Sequence, residues 1–486
     1  MKKFLILLLI SGVVLPAVAC QGIPRLTPFS RTGDLFVADS GSDSIWRLSD
    51  LNLDGDYNDA GEVSAFYLDT VGPFILTNNT GIAVGPEGIV YVCDSTLNFV
   101  LALQDQDGDG TAHGPGESWI FFNGDPLQNA GGIPMFSAQD LTVDATGVVW
   151  VASANNGSGG LDMVLRLEDL GGLPGANDAG EALVYWSAFP GAVGDSIPTD
   201  VKIGPDGFVY FLESGATGVI PKGIYRLHDD VIPNGVCTDP GEVTPFFIPA
   251  AQGASSFHYG MAVDEFSVWY LLDHGNDIIW RATDLNADLS ITPGTPEVSV
   301  FWTATATSLN WMVEVASDGT IFVAESQNPD RILQMSDFLV PNGNANDPGE
   351  VVSVYDQATA PTFIGNVRSL AFGRSPTLNL PFTASIGSLQ QISLAATGSA
   401  PFEVYLSTGP TSVPVPPFGI LGLNIAPPNV FAPLFGGVLP PSGLLSFPVA
   451  VPNDPGAIGL TLFFQAWSGF SSRVELSQTL PVTFTL

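Results

Sequence analysis

One short pattern recurs six times and constrains the fold more than any other feature. It reads LFVADS from Leu35, VYVCDS from Val90, VWVASA from Val149, VYFLES from Val209, WYLLDH from Trp269 and IFVAES from Ile321, spaced 52 to 60 residues apart. Each copy is a run of β-branched and aromatic residues, which suits a strand buried on both faces. The stretch Gly81–Gly124 shows the whole unit. Gly81–Val84 is apolar and turns at Gly85-Pro86-Glu87-Gly88 into Ile89–Cys93. Phe99–Leu103 and, after an acidic loop, Ser118–Phe122 complete four short strands. Turn residues at each junction indicate hairpins. A single sheet of this kind cannot bury both faces, so it needs copies beside it. Six such units predict an all-β fold, a six-bladed β-propeller.

The first unit, from Gly33, lacks a clear innermost strand, whereas Asn366–Gly373 (NVRSLAFG) follows the sixth and matches Gly81–Gly85. This spare strand is predicted to complete the first blade and close the ring, which leaves no open sheet edge. The propeller is therefore expected over residues 20–374. From Ser375 lysine disappears, and proline-rich loops separate strand-like runs at Gln391–Ala396, Phe402–Ser407, Leu444–Val449, Leu460–Trp467 and Leu480–Leu486. Short strands over residues 375–486 suggest a small β-sandwich. The segment Asn453–Trp467 resembles a recurrent C-terminal module of secreted bacterial proteins, which implies no activity, and the domain reads as a structural or surface-association one.

Residues 1–19 read as an export signal: Lys2-Lys3, an apolar Phe4–Leu15 and a small-residue site at Ala17-Val18-Ala19. Cys20 follows at once, so lipidation of Cys20 and simple cleavage both remain open. Either places the protein in the periplasm, on the outer membrane as a lipoprotein, or outside the cell, and the membrane is a partner only through that anchor. The formal net charge of −35 opposes binding to nucleic acid or anionic lipid and favours cations. The cysteines at 20, 93 and 237 offer no disulfide framework.

Each unit carries a loop before its last strand that ends in a glutamate: Glu62, Glu117, Glu181, Glu242, Glu297 and Glu350. In the first, Asp50, Asn52, Asp54 and Asp56 alternate, with Gly55 at the sixth position and Glu62 at the thirteenth. Alternating oxygens around a glycine turn are how a tight loop wraps Ca²⁺. The second loop repeats this with Asp105, Asp107, Asp109, Gly110 and Glu117, and the fifth in part, with Asp284, Asn286 and Asp288 but Leu289 for glycine. The third, fourth and sixth, starting at Asp169, Asp230 and Asp337, lack the ligand set. The loops resemble those of EF-hands and dockerin-like repeats, although no helices flank them and the glutamate falls one position late. The resemblance implies structural Ca²⁺ in blades 1 and 2, and a weaker site in blade 5.

Function in a propeller concentrates at a mouth of the central channel. The residues expected there are Asn79-Thr80, Gln139-Asp140, Thr199-Asp200, His258-Tyr259, Asn310-Trp311 and Val367-Arg368. Of these, Asp140, Asp200, His258, Tyr259, Asn310, Trp311 and Arg368 are the candidate ligand contacts. Pro198–Ser214 resembles the PND and PDG segment of SMP-30/gluconolactonase propellers, and Asn79–Ser95 resembles NHL repeats. That family binds a divalent cation through the Asn of PND and a later Asp, but Thr199 and Tyr259 stand at the matching positions here. The resemblance thus implies the fold and a lost lactonase metal site. No HExxH, GxSxG, P-loop or GxGxxG pattern occurs. The sequence therefore points to an exported, calcium-stabilised propeller that binds or scaffolds a protein, glycan or small molecule. The alternatives are a metal-dependent lactonase-type hydrolase and a purely structural envelope component.

Overall fold

The computed structural model describes residues 34–373, apart from short segments of which 155–161, 189–195 and 250–257 are the longest, together with strand segments between 377 and 485. Residues 1–33, with the expected export signal and Cys20, lie outside the described residues.

Residues 34–373 form six four-stranded antiparallel sheets, lettered a to d from the innermost strand outward. Blade 2 contains Asn79–Val84, Val90–Asp94, Phe99–Leu103 and Ser118–Asn123. In blades 3 to 6 strand a is Ala138–Val143, Pro198–Ile203, His258–Val263 and Asn310–Val315. Blade 1 takes strands b to d from Leu35–Asp39, Ser44–Leu48 and Val63–Leu68, and its strand a from Val367–Phe372. Leu35 pairs with Phe372 and Val37 with Leu370, so both ends of the ring meet in one sheet, as the spare strand predicted. The strand a segments contact one another in sequence around the ring.

The core lies between blades rather than within them. Each described cluster of buried apolar side chains mixes two neighbouring blades; one joins Tyr91, Val100 and Phe121 of blade 2 to Leu141, Val149 and Leu165 of blade 3. Another joins Leu35, Leu48 and Tyr57 to Phe322, Ile332 and Tyr355, across the closure of the ring. Strand b is buried along its length in every blade, which explains the near-continuous apolar runs.

The acidic loop between strands c and d clasps the blade before it. The Tyr57 N–H donates to Val354 O of blade 6, Ala112 to Phe66 O of blade 1, and Ala176 to Phe121 O of blade 2. Cys237, Ile291 and Ala345 continue the series onto Tyr185, Phe246 and Phe301. A following side chain reinforces four of these contacts: Asn58 Oδ1 accepts from the Asp356 N–H, His113 Nε2 from Leu68, Asn177 Oδ1 from Asn123 and Asn346 Oδ1 from Thr303.

Beyond residue 376 the expected runs appear as strands Leu389–Ala395, Pro401–Ser407, Leu444–Ala450, Thr461–Phe470 and Leu480–Thr485. The first pairs with the third, and the second and fifth flank the fourth. Most of the connecting residues lie outside the described set, so the arrangement is given as strand pairing alone.

Candidate functional site

A bulge between the first and third residues of strand a shifts the register in blades 2, 3, 4 and 6, and the matching positions of blades 5 and 1 carry irregularities. It sorts the inner strands into rings. The second residue of each strand is Thr80, Gln139, Thr199, Tyr259, Trp311 or Arg368; the third is Gly81, Asp140, Asp200, Gly260, Met312 or Ser369; the fifth is Ala83, Thr142, Lys202, Ala262, Glu314 or Ala371. Every residue of the third ring is buried. The sequence reading put Asp140 and Asp200 in one ring with Tyr259 and Arg368, ahead of strand a. The structure places all of them inside the strand, with the two aspartates one residue deeper because of the bulge.

The third and fifth rings share a charged cluster. Lys202 Nζ hydrogen-bonds Asp140 Oδ2 at 3.1 Å. It lies 3.3 Å from Asp200 Oδ1 and 3.6 Å from Glu314 Oε2 as ion pairs. Blades 3, 4 and 6 thus converge on one ammonium, although blades 4 and 6 are not neighbours. Both aspartates are fully buried. Asp200 Oδ2 also accepts the Met261 N–H at 2.6 Å, which ties the cluster to blade 5. Asp140 packs against Gly81, where a Cβ would come within 2.6 Å of the Asp140 Cα; glycine is needed there for close approach.

Burial opposes the charge on Lys202, but Asp140, Asp200 and Glu314 outweigh it and hold its pKa well above the usual lysine value. Burial raises the Asp200 pKa well above the carboxylate range; Lys202 opposes that and Asp140 adds to it. Burial likewise raises Glu314, against the pull of Lys202. The chemistry is that of a buried ion-pair cluster: three acids share one base, with the cation supplied by the chain.

Lys202 and Glu314 were not among the residues the sequence singled out. The available signal was a charge within each inner-strand run, TDVKI and WMVEV, where the other strands have alanine or threonine. Of the expected mouth residues, Tyr259 packs edge-on against His274 with ring centroids 5.0 Å apart. Arg368 Nε reaches Ser40 Oγ at 3.3 Å. The side chains of His258, Asn310 and Trp311 lie outside the described residues. Cys93, on strand b beneath Asp140, is buried and free, and burial pushes its thiol up to about 12.

The acidic loops are built alike around the ring. The first aspartate accepts the N–H of the residue at the tight turn: Asp50 from Gly55, Asp105 from Gly110 and Asp284 from Leu289. In blades 3, 4 and 6 the reach is one residue longer, with Asp169 to Gly175, Asp229 to Gly235 and Asp337 to Gly343. In blade 4 that residue is Asp229; Asp230, where the spacing put the start of the loop, lies outside the described residues. Leu289 takes φ of +65° where the other loops use glycine. The terminal glutamate accepts backbone N–H groups of its own loop whether or not the other ligands are present: Glu62 from Leu51 and Asp59, Glu117 from Gln106 and Gly114, and Glu181 from Leu170 and Asp178. Asp50, Asp54 and Glu62 bring one oxygen each within 4.8 Å of the others, and so do Asp105, Asp107 and Asp109. Those donor sets suit Ca²⁺, with Asn52 and Asp56 alongside the first. Glu117 is absent from the second set, and blade 5 offers only Asp284 and Asp288 as acids beside Asn286.

The fold and inner ring define a six-bladed β-propeller. No protein-family model matches the chain, and no curated protein matches it. Among solved structures it is similar to a candidate gluconolactonase (15% identity, 65% of this chain and 85% of that one, TM-score 0.37). It is similar also to a virginiamycin B lyase from Staphylococcus aureus (14%, 82% and 92%, 0.36). PorZ, a surface component of the type-IX secretion system of Porphyromonas gingivalis, matches at 13% identity over 90% of this chain and 55% of that one, with TM-score 0.37. At these identities the likeness concerns the fold alone.

Proposed function

We propose that this protein is an exported binding or scaffolding propeller, held rigid by its inter-blade clasps and by structural calcium, rather than a metal-dependent hydrolase. The observation that carries this reading is the Lys202 ammonium among Asp140, Asp200 and Glu314. A catalytic divalent ion needs converging carboxylates that are free to bind it. Here a covalently attached cation already pairs with all three, and it would repel a metal placed alongside. Export follows from the character of residues 1–20, and a sandwich-like C-terminal module would supply surface association. Calcium in the loops of blades 1 and 2 would stiffen the clasps onto blades 6 and 1. The test is turnover of a panel of lactones with Ca²⁺, Mg²⁺, Mn²⁺ and Zn²⁺. Negligible turnover is expected; metal-dependent turnover abolished by Asp200→Ala would establish the hydrolase instead.

A further inference from the structure

The two mouths of the channel differ. Asp34 and Gly373, where the described propeller begins and ends, lie at the corner between strands a and b of blade 1, and the Gly373 N–H donates to Asp34 O. The a–b turns and acidic loops share that mouth. The opposite mouth is built from the b–c turns and the connections between blades.

At that opposite mouth five successive connectors, 356–367, 39–44, 68–79, 94–99 and 123–138, are sewn into one surface. The Gly365 N–H donates to Asp39 Oδ2, and Asn79 Nδ2 donates to Ser44 O. The Thr77 and Asn78 N–H groups donate to Asp94 Oδ2, and the Ser137 N–H donates to Asn98 Oδ1. This fixed surface exposes large apolar side chains: Phe363 at 66%, Val71 at 63%, Ile75 at 68% and Leu127 at 90%. No lysine, arginine or histidine occurs within the five connectors, whereas Asp43, Asp69, Asp125 and Asp356 do; the cation beside them is Arg368, directly after the first connector, which reaches Ser40 of the second. Burial first, and then the neighbouring Asp69, Asp94 and Asp39, raise the Asp43 pKa.

We infer that this sector, from the blade 6–1 connection to the blade 2–3 connection, is a docking surface for a basic, amphipathic segment of another protein. Apolar side chains of that segment would cover Phe363, Val71 and Ile75 while its lysines or arginines meet Asp43 and Asp69. Large apolar side chains exposed on connectors that are hydrogen-bonded to one another give a preformed surface a partner can cover. The charge selects the partner: a second copy would set like charges face to face under a net charge of −35, and an anionic lipid or nucleic acid is repelled in the same way. Both described ends leave at the other mouth, so neither begins on this surface.

The inference rests on the binding reading above, but its test is separate from lactone turnover. The full chain is titrated with two fluorescent peptides of about 14 residues, one of leucine and lysine with the leucines along one helical face, the other of lysine alone. The leucine–lysine peptide is expected to bind at least about tenfold more tightly, equivalent to roughly 1.4 kcal/mol. Val71→Ser, Ile75→Ser and Phe363→Ser together remove that preference. Leu51→Ser, Leu170→Ser and Leu285→Ser, exposed leucines of the acidic loops at the other mouth, leave it intact. Equal affinity for the two peptides, or equal losses in the two triple variants, overturns the inference. So does a homodimer in sedimentation that the first triple variant abolishes. All six positions are solvent-exposed, and unchanged melting verifies that both variants fold.

Discussion

Removing the Lys202 ammonium tests the central electrostatic argument. In Lys202→Met the aliphatic stem survives, but Asp140, Asp200 and Glu314 lose their shared cation, and the first two are fully buried. Breaking a buried ion pair by deleting one partner costs about 3–5 kcal/mol. Unfolding entropy of about 2.1 cal/mol/K per residue, over roughly 340 propeller residues, gives ~0.7 kcal/mol/K, so Tm should fall by about 4–7 °C. The loss should depend on pH. Carboxylates whose folded pKa is raised bind more protons folded than unfolded, so they favour folding at low pH and lose that contribution as pH rises through the folded pKa. Without Lys202 the Asp200 and Glu314 pKa values rise further, and the gap to wild type should narrow from pH 8 to pH 5. Adding Asp140→Asn and Asp200→Asn removes the uncompensated charges and should recover more than half of the lost Tm. Differential scanning calorimetry across pH reads all three outcomes. A variant within about 1 °C of wild type at pH 8, with no pH-dependent gap, would show that Lys202 compensates nothing.

Asp200→Asn should be tolerated within about 1 kcal/mol, because the amide oxygen can keep the Met261 N–H bond. Since the Asp200 pKa is raised, wild type should lose stability from about pH 4 upward until the carboxyl ionises, by up to about 1.4 kcal/mol per pH unit; the variant should lack this component in guanidinium unfolding series. Leu289→Gly should stabilise by about 0.5–1 kcal/mol, because relief of the left-handed strain outweighs the entropy cost of glycine and the side chain is half-exposed; destabilisation would contradict the loop geometry. Chelation should lower Tm, since an ion a hundredfold above its Kd stabilises by about 2.7 kcal/mol. Asp54→Ala with Asp109→Ala should remove most of that sensitivity, and calorimetry without calcium binding would leave these loops as acidic turns.

Blade number and closure were legible in the sequence because each depends on local periodicity: strand b is buried on both faces and repeats as an apolar run, and NVRSLAFG is a strand a without its own blade. The acidic loops were legible as units for the same reason. Their work between blades was not, because Tyr57 meeting Val354 is a contact between residues almost 300 positions apart. The channel cluster was half legible. Asp140 and Asp200 stood out next to strand starts, but a bulge, which leaves no mark in composition, set them one residue deeper than Tyr259. Lys202 and Glu314 looked like ordinary strand charges until the ring brought blades 4 and 6 to the same axis.

The junction that closes the ring also fixes how the molecule carries load. Leu35 and Phe372 are antiparallel partners, and Asp34 and Gly373 sit side by side at the same end of that pair. Tension applied between them therefore enters at a single hydrogen-bonded corner and peels the two strands apart one bond at a time, the compliant direction of a sheet. The other five blades are off the load path. A pull on both ends would first free strand a of blade 1 while the Tyr57 and Asn58 contacts still hold blade 1 to blade 6. Under such a pull the propeller would hang from the line between Asp34 and Gly373 as a side-mounted disc, and would not be a link in that line.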